Sequence, residues 1–309
     1  MDISIIMLAC NRPVLMQRAI ECALAQKNIN FEFILVDKAI DHETHEICLQ
    51  YKNKYPQIKY VNIPPGNIGI GRNAGIEVAQ GDYITFIDDD DYFEDDMMEF
   101  LLVNAKKHHA DISICGCYMD FNGKIKDYYV YDEEYTFDKI QGVIELLKRQ
   151  KYNSANPCKL FKKSLFENVR YPNEAILDDV HTVYKLFANA NKVYVSGMPK
   201  YYFLKHSDNY SGYIENNHYS NALLMEYMKA FKLRTEYLSS IIPSQADYFR
   251  YTECSYVLSM ANKIISKEII GCELAFNRMK KFLIKNKAEI LLFTELTCLE
   301  LQTLNLITR

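Results

Sequence analysis

"NIGIGRNAGIEVAQGDYITFIDDDD" (residues 67–91) joins three signals: a glycine-rich turn entering a helix, a short apolar run, and four consecutive aspartates. The run "YITFID" (83–88) has the length and the β-branched and aromatic content of a buried strand. The same alternation recurs upstream. "ISIIMLA" (3–9), "FEFILVD" (31–37) and "IKYVNIP" (58–64) read as strands, with "VLMQRAIECALAQ" and "HETHEICLQYKNKY" (42–55) as the helices between them. Downstream, "EDDMMEFLLVNAKKHH" reads as a fourth helix and "ADISICGCYMDF" (110–121) as a fifth strand. Strands alternating with helices through short connections predict a Rossmann-like α/β fold with a mainly parallel sheet flanked by helices. Ligands of such sheets sit beyond the carboxyl ends of the strands. "CNRP", "DKAID" and "DDDD" all fall there, so they are expected to converge on one crevice.

Beyond the fifth strand, residues 122–215 are less regular and rich in tyrosine, and from 216 onward the periodicity is helical. This predicts a main domain over 1–215 and a helical C-terminal region over 216–309, suited to acceptor, oligomer or membrane contacts. The stretch "RMKKFLIKN" interleaves Arg278, Lys280, Lys281 and Lys285 with apolar residues. It reads either as a membrane-surface helix or as an ordinary solvated face. The tyrosines of 128–135 and 201–213 are open to stacking on a ligand face or to plain packing. A net charge of −4 gives no basic field for nucleic acid. Nine scattered cysteines with one C-x-C pair, Cys115 and Cys117, read as reduced thiols of a cytoplasmic protein. The start "MDISIIMLAC" does not read as a secretory signal, and no run nears the roughly 18 apolar residues that span a bilayer.

Gly69, Gly71 and Gly75 are spaced G-x-G-x-x-x-G and follow the third strand, not the first. That departs from the dinucleotide fingerprint, and no Lys-Ser/Thr pair follows to make a P-loop. Glycines here let the backbone pass close to a ligand or a strand, with Arg72 expected in the crevice. Taken as strand residues, Asp88 and Asp90 face the same way, and paired carboxylates suit Mg²⁺ or Mn²⁺ with an open shell for a diphosphate. A dication also offsets the mutual repulsion of the carboxylates. Glu94, Asp95 and Asp96 are explained by the positive end of the following helix.

Several of these segments, in this order, resemble family 2 glycosyltransferases of the GT-A fold, which are inverting enzymes. The resemblance runs over about residues 1–212. It rests on "ISIIMLACNRP", "FEFILVD", "NIGIGRNAGIEVAQGDYITFIDDDD", "NPCKLFKKSLFENVRYP" and "AILDDVHTVYKLFANANKVYVSGMPKYYF". It implies a UDP-sugar donor held by Ala9, Cys10, Asn11, Arg12, Asp37, Asn67, Arg72, Asp88 and Asp89. Asp88 and Asp90 match the outer positions of the D-x-D motif, Asp90 as direct metal ligand and Asp88 near the ribose, with Asp89 in the variable middle place and Asp91 as support. Asp178-Asp179 stands where the family has Glu-Asp, which makes Asp179 the general base. His206 matches a position where some relatives return a histidine to the metal, and a surface-loop histidine is the alternative. Lys38 and Cys10 depart from the family pattern, leaving open whether Lys38 alters base reading or contacts a phosphate. The expected acceptor is a glycan, a lipid-linked sugar or a glycoprotein. Competing readings are a degenerate transferase kept as a scaffold and a sugar nucleotidyltransferase, whose glycine-rich loop after the first strand is missing here.

Overall fold

Nearly unbroken apolar runs become the buried strands β1 (Ile3–Ala9), β2 (Phe31–Asp37) and β4 (Tyr83–Ile87), and the half-buried β3 (Ile58–Asn62) forms the edge. They are parallel in the order β3-β2-β1-β4, with Ile5 opposite Phe33 and Ile6 opposite Phe86. The computed structural model describes residues 1–206 and 219–309. Past β4 the ten-stranded sheet becomes mixed. Strand β9 (Lys159–Lys162) runs antiparallel between β4 and β6 (Ile112–Phe121), and β10 (Lys192–Leu204) lies parallel to β6. Short antiparallel strands β5 (Tyr92–Phe93), β7 (Lys124–Asp127) and β8 (Glu134–Asp138) complete it.

The flanking helices are α1 (Pro13–Leu24), α2 (His42–Lys54), α3 (Ile68–Val78), α4 (Met97–His108), α5 (Lys139–Lys148) and α6 (Asp178–Asn189). Pro13 opens α1, where its missing N–H costs nothing. Asp41 caps α2 by accepting from the Thr44 amide at 2.7 Å. The glycines of α3 are set by contact with β1 and the 171–172 segment. A Cβ on Gly75 would stand 2.5 Å from Ile6, and one on Gly69 would stand 2.2 Å from the Pro172 carbonyl oxygen.

Two local expectations are corrected. Strand β4 ends at Ile87, and Asp88–Asp91 form a turn closed by the Asp91 amide on the Asp88 carbonyl at 3.4 Å. Strand alternation therefore does not set the directions of Asp88 and Asp90. Helix α4 starts at Met97, so Glu94 and Asp95 precede it and Asp96 is its N-cap residue without a side-chain cap. These three acids instead tie neighbours together. Asp95 pairs with Lys27, Lys200 Nζ sits 2.6 Å from Asp96, and the Tyr202 hydroxyl donates to Glu94 at 2.8 Å.

The contacts divide the chain into two units, Met1–His206 and Ser207–Arg309. The domain boundary expected at 215 lies outside the described residues. The second unit contains α7 (Asn221–Ile241), α8 (Ala246–Ser266), α9 (Glu273–Lys285), α10 (Lys287–Ile290) and α11 (Cys298–Ile307). Its core joins Leu224, Val257, Leu258, Met279, Leu283 and Leu304. All nine cysteines are unpaired. Among the described residues no helix is long and apolar enough to cross a membrane.

Candidate active site

The aspartate turn is held by contacts from three sides. Asp89 accepts from the Cys10 amide at 2.8 Å and from Arg12 Nη1 at 2.9 Å, and the same Arg12 nitrogen is 2.7 Å from Asp90 Oδ2. Arg18, stacked 4.4 Å over the Tyr92 ring, donates to the Asp90 carbonyl at 3.0 Å. His206 Nε2 lies 3.0 Å from Asp90 Oδ2, which brings together two of the predicted metal ligands. Asp91 is turned away, accepting from the Tyr201 hydroxyl and the Leu204 amide, both at 2.8 Å. Asp89 and Asp91 are thus buried clasps, whereas the Asp88 side chain is 39% exposed.

Asp88, Asp89 and Asp91 titrate late. Burial pushes Asp88 to about 6 against the pull of Arg72, with Asp90 and Asp178 adding repulsion. Burial likewise pushes Asp89 to about 7, against Arg12 and with repulsion from Asp90. Asp91 is raised by burial and then by Asp90 and Asp88. The turn concentrates negative charge that favours an incoming cation.

Arg72 joins this turn to the first turn of α6. Its guanidinium is buried, 2.7 Å from Asp178 Oδ2 and 3.9 Å from Asp88 Oδ1, and it stacks on Phe86 and Tyr171. Asn73 pins the segment leading to α6 by a two-way bond with the Tyr171 backbone at 2.8 and 2.9 Å. Asn67 donates to the Ala175 carbonyl at 3.5 Å. With Asp178 buried and paired, the half-buried Asp179 is the freer carboxylate, though its Oδ1 accepts from the Val180 amide at 2.8 Å. Burial and then the Asp178 charge raise Asp179 to about 6.

The remaining predicted residues line the ends of β1 and β2. Asn11, at φ 53°, accepts from the Ile40 amide at 2.8 Å and ties the two loops together. Asp37 is buried, holding the Tyr60 hydroxyl at 2.8 Å, His45 Nδ1 at 2.6 Å and the Ala39 amide at 3.0 Å. Burial pushes its pKa up, but these hydrogen bonds outweigh burial and leave it lowered. The Ala9 carbonyl accepts from the Lys38 amide at 3.3 Å, and Lys38 itself is buried. The Cys10 amide is already committed to Asp89.

Sequence reasoning missed Arg18, Tyr60, Asn73 and Tyr201, which orient the site through distant strands and helices. Tyr201 had a partial signal in its aromatic cluster, since a buried tyrosine hydroxyl needs a partner.

Residues 4–170 match the family model "Glycosyl transferase family 2", more than half of the chain, and the chain belongs to that family. Glycosyltransferase GlyG of Streptococcus pneumoniae is 28% identical over 202 residues, covering 62% of this chain and 66% of that one. Poly(ribitol-phosphate) beta-N-acetylglucosaminyltransferase TarS of Staphylococcus aureus is 24% identical over 178 residues, covering 56% of this chain and 30% of that one. The crystal structure of S. aureus TarS 1–349 in complex with UDP-GlcNAc matches with a TM-score of 0.72 at 19% identity, over 92% of this chain and 81% of that chain. That likeness shows the GT-A fold. The chain spans 66% of the first of these relatives and about a third or less of several others.

Proposed function

We propose that this chain transfers a sugar from a nucleotide-sugar donor, of the UDP type, to an acceptor hydroxyl with inversion. The observation that carries the reading is the Arg72 bridge, which sets Asp88 and Asp178 about one guanidinium, with Asp179 beside them at the start of α6. Asp179, raised to about 6, is ionised at neutral pH and still basic enough to take the acceptor proton. Arg12, Asn11, Asp37, Asn67, Arg72 and the Ala9–Cys10 backbone form the donor side. The complex of TarS with UDP-GlcNAc supports the donor class, and the poly(ribitol-phosphate) transferases among the relatives support a polymer acceptor.

Among the described residues no cluster of three or more His, Cys, Asp or Glu side chains stands ready as a metal cage. The donors present still fit Mg²⁺ or Mn²⁺. Asp90 Oδ2 and His206 Nε2 are 3.0 Å apart and Asp88 lies two residues away, a sparse oxygen-and-nitrogen set of the kind that leaves room for water and phosphate. In this reading Asp90, Asp88 and His206 hold the ion, which supplies charge neutralisation to the departing nucleoside diphosphate.

The test is to offer UDP-, GDP- and dTDP-sugars with and without Mn²⁺, plus a panel of glycan and polyol-phosphate acceptors, and to follow nucleotide release. Acceptor-stimulated UDP release that is lost in Asp179→Asn is the expected result. Tight UDP binding without release from any donor would instead favour a scaffold and overturn the enzymatic reading.

A further inference from the structure

Helix α9 has two contrasting sides. Ala275, Met279 and Leu283, at i, i+4 and i+8, are buried in the core of the helical unit. The opposite side carries Leu274, Arg278, Lys281 and Lys285 at i, i+4, i+7 and i+11. Leu274 is 62% exposed, Ile284 51%, and Ile270, in the turn before the helix, 85%. Among the described residues none of Arg278, Lys280, Lys281 and Lys285 makes an ion pair. Residues 263–287 hold seven basic and two acidic side chains in a chain of net charge −4. Next to Ile270 a groove of about 260 Å³ is lined by Ile264, Ile269, Cys272 and Phe276, with Glu273 and Asn277 at its polar side.

A merely solvated face needs the cations but not the bare aliphatics. A two-fold contact between copies through this stripe would set like charges against one another. An anionic bilayer accepts both features: ammonium and guanidinium groups at phosphate level, aliphatics at the headgroup–acyl boundary. We propose that this face docks the protein on anionic lipid bilayers, with Ile270, Leu274 and Ile284 inserting and Arg278, Lys280, Lys281 and Lys285 meeting the headgroups. The occupant is a lipid surface rather than a protein, and the proposal stands independently of the transferase reading.

The chain has no tryptophan, so Leu274→Trp creates a single fluorescent reporter at the proposed point of insertion. Full-length protein is mixed with extruded vesicles of phosphatidylcholine alone or with equal phosphatidylglycerol, at low and high salt, and then floated. The expected result is flotation and a blue-shifted emission from the introduced indole only with anionic vesicles, weakened by salt. At roughly five-fold per cation, Arg278→Gln/Lys281→Gln/Lys285→Gln loses about a hundred-fold in partitioning. Lys229→Gln/Lys232→Gln, on α7, leaves partitioning unchanged. Circular dichroism melting confirms that the surface variants fold. No flotation with anionic vesicles, or equal flotation of the triple variant, overturns the proposal. So does self-association through this face without vesicle binding.

Discussion

Asp179→Asn is expected to move activity and stability in opposite directions. The side chain is half-buried beside Asp178, and an asparagine oxygen can keep the bond from the Val180 amide. Loss of a general base lowers turnover about 10²- to 10⁴-fold, equivalent to about 3–5 kcal/mol of barrier. Stability follows from the raised carboxyl, near 6 in the fold against an ordinary 3.8. A carboxyl raised by folding favours the folded state while protonated. That contribution is full below about 3.8 and is lost as pH climbs through about 6. Above pH 6 the native protein holds a penalised charge that asparagine removes, a gain of about 1–3 kcal/mol. For a unit of this size that is several degrees in Tm at pH 8, fading to nothing near pH 4. The assays are acceptor-dependent UDP release from pH 4.5 to 9, where the wild type should fall off below about 6, and melting curves at both ends of that range. Turnover within about three-fold of wild type, or a variant less stable at pH 8, would refute the assignment.

Three further outcomes are expected. Asp90→Ala should abolish the Mn²⁺-dependent part of UDP affinity, read by calorimetry with and without the ion; unchanged affinity would leave His206 and Asp88 without a metal role. Tyr201→Phe removes the hydroxyl that serves buried Asp91 at 2.8 Å and the Asp88 amide at 3.2 Å. It should cost about 1–3 kcal/mol in urea unfolding. Gly69→Ala meets the backbone oxygen of Pro172 and should cost about 1–3 kcal/mol and most of the activity, whereas Gly71→Ala meets only the end of the Leu8 side chain at 2.9 Å and should be milder.

Strands β1, β2 and β4 were legible because strands covered on both faces are written as nearly unbroken apolar runs, and the edge strand β3 by its β-branched and aromatic content. Strand β9 was not. Its four residues, "KLFK", begin with a lysine that is nonetheless buried, Lys159, whose ammonium is held by the Ala155 carbonyl at 2.6 Å. No periodicity is visible in four residues, and antiparallel insertion between β4 and β6 is a tertiary fact. In the aspartate turn, the run of carboxylates was visible in the sequence and the direction of each was not. Asp88 to Asp91 look equivalent in sequence, yet the turn after Ile87 sends Asp91 to Tyr201, Asp89 to Cys10 and Arg12, and Asp90 to Arg12 and His206. Asp178 and Asp179 are also adjacent, and only the position of Arg72 gives one of them an ion pair and leaves the other its bond from the Val180 amide. His206 against Asp90 required a contact across 116 positions.

The glycines of α3 have a consequence for how such a chain can diversify. With Gly69 against Pro172, Gly71 against Leu8 and Gly75 against Ile6, this face of α3 has no slack into which a larger side chain could drift. Residues 122–138 are different: they sit in short, exposed edge strands and loops, where most positions carry no packing obligation. Selection can rewrite those exposed positions one residue at a time while the α3 wedge stays fixed. Change would then collect in those strands and loops, and the α3–β1 packing would be inherited nearly unaltered.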